Sequence, residues 1–267
     1  MRFPLIAGLV LGMAAMPGVS SGAAKDSEAV LVIQDERPQI DVLAKFLGEK
    51  GGLRCEIVDQ RHIPKDCSGY KAVIVFVHGQ LHEAAERASI DYCKAGGRLV
   101  VLHHSISRAR RKNKFWLGFL GIELREGKLE DGGYTWRHDV TFDLVNLRPT
   151  HYITSHAVHW PATVSYTSSD GPSVEKTYSA IRLAGTEVYL NHRFTDGAEK
   201  TVLCGFKFKD EKTGRVFMQD RSVWLKQSGQ GHVVYIQPGD IVADYENPNV
   251  VQMILNAIRW IPDGKGP

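Results

Sequence analysis

Cysteine is scarce in this chain, with four among 267 residues, and no pair is spaced as C-x-x-C or as a zinc knuckle. That removes the thioredoxin-like and structural-zinc readings. Cys55 and Cys67 flank one expected loop and form the candidate disulfide. Buried free thiols are the other reading of Cys55, Cys67, Cys93 and Cys204. A surplus of one charge is lacking too: the net charge is +3, too small to argue for nucleic acid. The densest basic stretch, RARRKNK at 108–114, reads as a solvated loop or helix start. There are no repeats, no low-complexity tracts and no linker, so residues 25–267 are expected to form one domain.

Long apolar runs are lacking everywhere except at the start. Met1 and Arg2 lead into FPLIAGLVLGMAAM, and PGVSSGAA then offers small residues for cleavage near Ala23 or Ala24. These are the three parts of a secretory signal peptide, and the run is too short to span a bilayer. Residues 1–24 are therefore expected to be removed, leaving a periplasmic or secreted protein. No later segment approaches the ~20 apolar residues of a membrane span.

What is present in the first half is a clean alternation. AVLVIQD (29–35), LRCEIVD (53–59), AVIVFVHG (72–79) and RLVVLHH (98–104) read as strands, with continuous apolar runs of the buried kind in the first, third and fourth. A helix opened by Pro38 and stopped by Gly51 and Gly52 follows the first, and an amphipathic helix over 82–97 follows the third. This spacing predicts an α/β fold with right-handed crossovers: a flavodoxin-like, doubly wound, mainly parallel sheet. From 115 onward the segments YTWRHDVTFDLV, SAIRLAGTEVYLNHRF and TVLCGFKFKD alternate polar and apolar residues, as an antiparallel β extension on one edge would. GHVVYIQPGD and PNVVQMILNAIRWI close the chain with another strand and helix.

Ligands bind outside the carboxyl ends of the strands in such sheets. Asp35, His78, His103, His104 and Asp240 all fall at those ends. Strand alternation predicts that only one of His103 and His104 enters the crevice. A histidine near its ordinary pKa of ~6.5 suits general acid–base work, and a carboxylate would fix its tautomer. Asp240 is the first candidate for that carboxylate and Asp139 the second. A divalent metal ion is the rival, with His103, His138, His151 and Asp240 or Glu175 as ligands converging from separate elements. Tyr134, Trp136 and His138 occupy alternate positions of one expected strand, a flat face with polar tips fit to stack on a pyranose ring.

The closing segment GHVVYIQPGDIVADYENPNVVQMILNAIRWIP resembles the C-terminal signature of the trehalose-utilisation (ThuA-like) family. GGRLVVLHHSIS, FWLGFLGIEL, WRHDVTF and HYIT resemble that family's central strand, its Trp and Leu-Gly block, its His-Asp strand and its His-Pro-Ile-Thr turn, in matching order. The resemblance implies a sheet of the class I glutamine amidotransferase superfamily and a role in processing sugars or oxidised (keto) glycosides. It also aligns its histidine with His103, making that the crevice residue, and places Glu175 and Tyr178 of SVEKTYSA at the pocket border. Two departures matter. His103 and His104 stand where the amidotransferases carry a nucleophilic cysteine, so glutaminase activity is not expected. Gly239-Asp240 replaces the family's terminal Gly-His.

These observations give His103, His138 and Asp240 as catalytic candidates. His104, Trp136, Tyr134, Glu175, Tyr178 and Asp35 are the candidates for substrate binding. The expected partner is a small-molecule carbohydrate, with a homo-oligomer as a further candidate. The expected activity is hydrolysis, elimination or isomerisation of a glycoside or keto-glycoside; the alternative is a non-catalytic sugar-binding module or accessory subunit.

Overall fold

The computed structural model describes residues 28–107, 113–197 and 200–262. The expected leader, and Arg108 to Lys112 of the basic stretch, lie outside the described residues. β1 (Ala29–Gln34), β2 (Arg54–Asp59), β3 (Ala72–Phe76), β4 (Arg98–Leu102) and β12 (Gly231–Ile236) are parallel neighbours in the order β2-β1-β3-β4-β12. That is the flavodoxin-like order. α1 (Pro38–Gly51) and α6 (Pro248–Arg259) pack on one face, and α2 (Glu83–Lys94) and α3 (Trp116–Leu120) on the other. The pleat explains the continuous apolar runs: Val30, Val32, Ile74 and Val100 join one core, while Leu31, Ile33, Val73 and Val101 join the other. Each such side chain contributes about 1.5–3 kcal/mol through its burial.

Local chemistry punctuates the elements as read. Pro38 and Pro248 stand in the first turns of their helices. Gly52 takes the left-handed conformation (φ 63°) that closes α1, its N–H bonding to the Gly48 carbonyl.

The antiparallel extension is as wide as the parallel half. It continues the sheet as β11 (Val216–Ser228), β10 (Lys200–Lys209), β6 (Thr135–Asn146), β8 (Glu175–Leu190) and β7 (Ala162–Thr167). β6 and β8 slip register between Arg137 and Phe142, where Asp139 (φ 53°) and Gly185 (φ 68°) are left-handed. Such bulges bend strands. Here the ends of β6 and β8 arrive over the carboxyl ends of the parallel strands, although β8 is four places from β12 in the sheet. All four cysteines are free thiols, three of them buried, so the candidate Cys55–Cys67 disulfide is not formed. Among the described residues no helix is long and apolar enough to cross a membrane.

Candidate active site

β4 ends at Leu102, one residue before the histidine pair, and His103–Ile106 form a single 3-10 turn. His103 is left-handed, with φ 41°, a region that histidine enters more readily than most side chains. The turn is stapled to β3 by Ser105, whose Oγ donates to the Val75 carbonyl (2.8 Å) and accepts from the Val77 amide (3.0 Å). Strand alternation therefore does not govern the pair. Both rings are buried, His103 completely, with centroids 5.1 Å apart. The expectation that His103 enters an open crevice is corrected: its imidazole lies beneath the surface.

His103 Nδ1 sits 2.5 Å from the Gln237 carbonyl, which can only accept, so Nδ1 carries a proton. Nε2 faces the Glu187 carboxylate (3.0 Å), the Tyr189 hydroxyl (3.2 Å) and Asp240 Oδ1 (3.5 Å). A lone pair there would confront two carboxylates. Burial pulls the ring's pKa down, but the hydrogen bonds and charges of Asp240 and Glu187 outweigh it and push the value up to about 9. His103 is thus an imidazolium at neutral pH, not a group poised at its ordinary value. Burial acts to raise the pKa of Asp240, yet the His103 cation holds it below the usual carboxylate range.

Glu187 was not singled out from the sequence, and it organises the site. Its carboxylate is nearly sealed; Oε2 accepts a hydrogen bond from His103 Nε2, and Oε1 lies 2.9 Å from Nδ1 of His138. The His138 side chain is 64% exposed. Glu187 thereby fixes one buried and one open imidazole, leaving His138 Nε2 as the ring nitrogen available outside. The available signal was the carboxylate in TEVYL, the one charge among the apolar residues ending β8.

Asp240 is held by its loop. Asp244 Oδ2 accepts from the amides of Gly239 (3.0 Å) and Asp240 (2.9 Å), and from the Thr186 hydroxyl of β8 (2.6 Å). Gln39 Nε2 donates to the Asp240 carbonyl (2.9 Å). Asp244 belongs to α5 (Val242–Glu246), so one carboxylate ties the end of β12 to the end of β8. Asp35 has a similar duty: its oxygens accept from the amides of His78 (2.8 Å) and Gly79 (2.9 Å). It clasps the loop after β3 from its exposed place at the carboxyl end of β1. His104 packs between Phe76 (4.4 Å) and His78 (4.9 Å).

Tyr134, Trp136 and His138 do share one face, with successive ring centroids 6.3 Å apart. Exposure rises along the row: Tyr134 is buried, Trp136 is 36% exposed, and His138 is open. Glu175 and Tyr178 are elsewhere. They lie twelve and nine residues before Glu187 on β8, about 40 and 30 Å along a strand, so neither borders the site. Glu175 instead accepts from Ser165, and Tyr178 packs on Tyr166. His151 is also remote. It caps α4 (Tyr152–Ser155) and packs on Trp260 at the far end of α6. The metal set expected from sequence therefore loses His151 and Glu175. Among the described residues, His103, His104 and Asp240 are those whose donor atoms come together, within 4.8 Å of one another.

Fold and site define an α/β protein with a cluster of imidazoles and carboxylates gathered at the carboxyl ends of a flavodoxin-like sheet. The pattern of the ThuA family, described as trehalose utilisation, matches residues 29–261, and the chain belongs to that family. No curated protein matches it. A ThuA-like protein from Bacteroides uniformis superposes with a TM-score of 0.51 at 14% identity, over 91% of this chain and 95% of that one. The cold-adapted β-galactosidase of Rahnella sp. R3 gives 0.53 at 11% identity, over 87% of this chain but only 31% of that one. A glutamine amidotransferase from Thermotoga maritima aligns at 0.48 and 8% identity, over 86% and 95% of the two chains.

Proposed function

We propose that this protein is an exported acid–base enzyme that acts on a carbohydrate, by hydrolysis, elimination or isomerisation of a glycoside or keto-glycoside, and that it is not a glutaminase. One observation carries the reading: the exposed His138 is held through Nδ1 by the buried Glu187, which is itself held by the His103 imidazolium. A carboxylate on Nδ1 leaves Nε2 to accept a proton from a sugar hydroxyl or from a carbon beside a ketone. Asp240, a quarter exposed beside His103, is the second group within reach of substrate and accepts a hydroxyl hydrogen bond. His103 touches no solvent. It is a positioning residue whose fixed charge favours negative charge developing at the mouth of the site. The Trp136 ring supports a pyranose face beside His138, and the family's description, trehalose utilisation, points to the same substrate class.

The test is turnover of a panel of glycosides and 3-keto-glycosides by the wild type and by His138→Ala. General acid–base catalysis is worth about 10²–10⁴-fold, and a loss of that size in kcat is expected. Binding without turnover in the wild type would instead establish the sugar-binding module. The convergence of His103, His104 and Asp240 favours one alternative chemistry, a divalent ion that polarises a carbonyl. Loss of activity on chelation, restored by added zinc or manganese, would establish it, and unchanged activity would retire it.

A further inference from the structure

The antiparallel half holds a cavity of about 1040 Å³ whose lining includes Trp136 and His138. It is therefore continuous with the candidate site. Its floor is the row Arg182–Asp143–Lys207, which are register partners across β8, β6 and β10 and so project from one face. The opposite face of the same strands carries Phe142, Leu144, Phe206 and Ile181, which are core.

Three properties narrow the occupant. The volume sits at the top of the ~300–1,000 Å³ range of small-molecule pockets, more than a single sugar ring fills. The charge is nearly balanced, with five cationic and four carboxylate side chains in the lining. A polyanion gains little from such a wall, whereas hydroxyls meet donors and acceptors side by side. Arg182 is 71% exposed, and the nearest carboxylate, Asp143, is 3.8 Å away, beyond hydrogen-bond distance. Its planar fork of N–H groups is presented to the trough.

We propose that this trough binds the body of a neutral oligosaccharide and delivers its terminal ring to His138. The inference rests on His138 as the proton-transfer group and names the substrate class for it. The probes are glucose and the linear malto- and cello-oligosaccharides up to the hexamer, with affinity measured by calorimetry. In at least one series Kd is expected to tighten about tenfold from monomer to tetramer. Arg182→Ala, an exposed change that leaves the thermal midpoint alone, is expected to abolish the tightening and keep the monomer's affinity. Affinity independent of length in both series, or a length effect that survives Arg182→Ala, would overturn the proposal. His138→Ala separates the two readings: it should keep the length effect and lose turnover. Full turnover in that variant would sink the acid–base reading while leaving the trough standing on its binding data.

Discussion

A fully buried imidazolium is costly unless its charge is met on the spot. His103 meets it with Glu187 and Asp240 on one nitrogen and a backbone carbonyl on the other. Glu187→Gln keeps the shape and removes the charge. It should lower the His103 pKa from about 9, because one of two anions is gone, and it should weaken the grip on His138. The expected outcome is a drop of about 10²-fold in kcat, together with an imidazole titration, followed by NMR, that moves toward neutrality. An unmoved titration would mean that Asp240 alone holds the charge. The sequence showed His103, Asp240, Trp136 and His138, because a strand end or an alternate position marks each of them. Tyr189 and Gln237 were hidden for a physical reason: their partner His103 lies far away along the chain, so nothing local distinguishes them from packing residues, and Glu187 showed only as a lone charge in an apolar strand end.

At the scale of elements, β1, β3 and β4 were legible because burial on both faces makes continuous apolar runs, and Pro38, Gly51 and Gly52 mark the ends of α1; β2, the half-buried edge strand, was legible from its place after that Gly stop. β7 and β11 were not. In β11 the run MQDRS interrupts the alternation with charges whose partners are elsewhere: Asp220 accepts from Tyr166 (2.6 Å), and Arg221 pairs with Asp170. The third strand also stops at Phe76 and the fourth at Leu102, because the Ser105 staple pulls the chain into a turn. The tie between elements is Asp244. Asp244→Ala removes an acceptor shared by Thr186, Gly239 and Asp240. Unmet buried donors cost about 1–3 kcal/mol each, so a loss of about 3 kcal/mol is expected in urea unfolding. Faster hydrogen exchange at Gly239 and Asp240 should accompany it. An unchanged exchange rate there would show that Gln39 suffices to hold the loop.

For the whole molecule, stability should peak near neutrality, because its buried and half-buried imidazoles pull in opposite directions. His103 is raised: its contribution is complete below ~6.5, the unfolded value, and is lost as pH climbs through about 9. His192, His151 and His232 are lowered by burial and by neighbouring cations, so they stay neutral in the fold. Their contribution is present above ~6.5 and is lost as pH falls below it, where the unfolded chain binds protons first. Urea midpoints should therefore fall on both sides. His103→Asn, chosen because Asn tolerates a left-handed backbone, should flatten the alkaline side between neutrality and pH ~8, before unfolded thiols ionise. A slope unchanged by that substitution would remove His103 as its source.

The strand order carries a further consequence for how the chain is made. β4 is flanked by β3 and β12, and more than a hundred residues separate Leu102 from Gly231. While the ribosome spells out the whole antiparallel half, one side of β4 has no strand to pair with. At ~5–20 residues per second that interval is on the order of ten seconds. An apolar edge left open so long invites pairing with other nascent chains. Slow translation across this region should thus lower the soluble yield, and a holding chaperone should restore it.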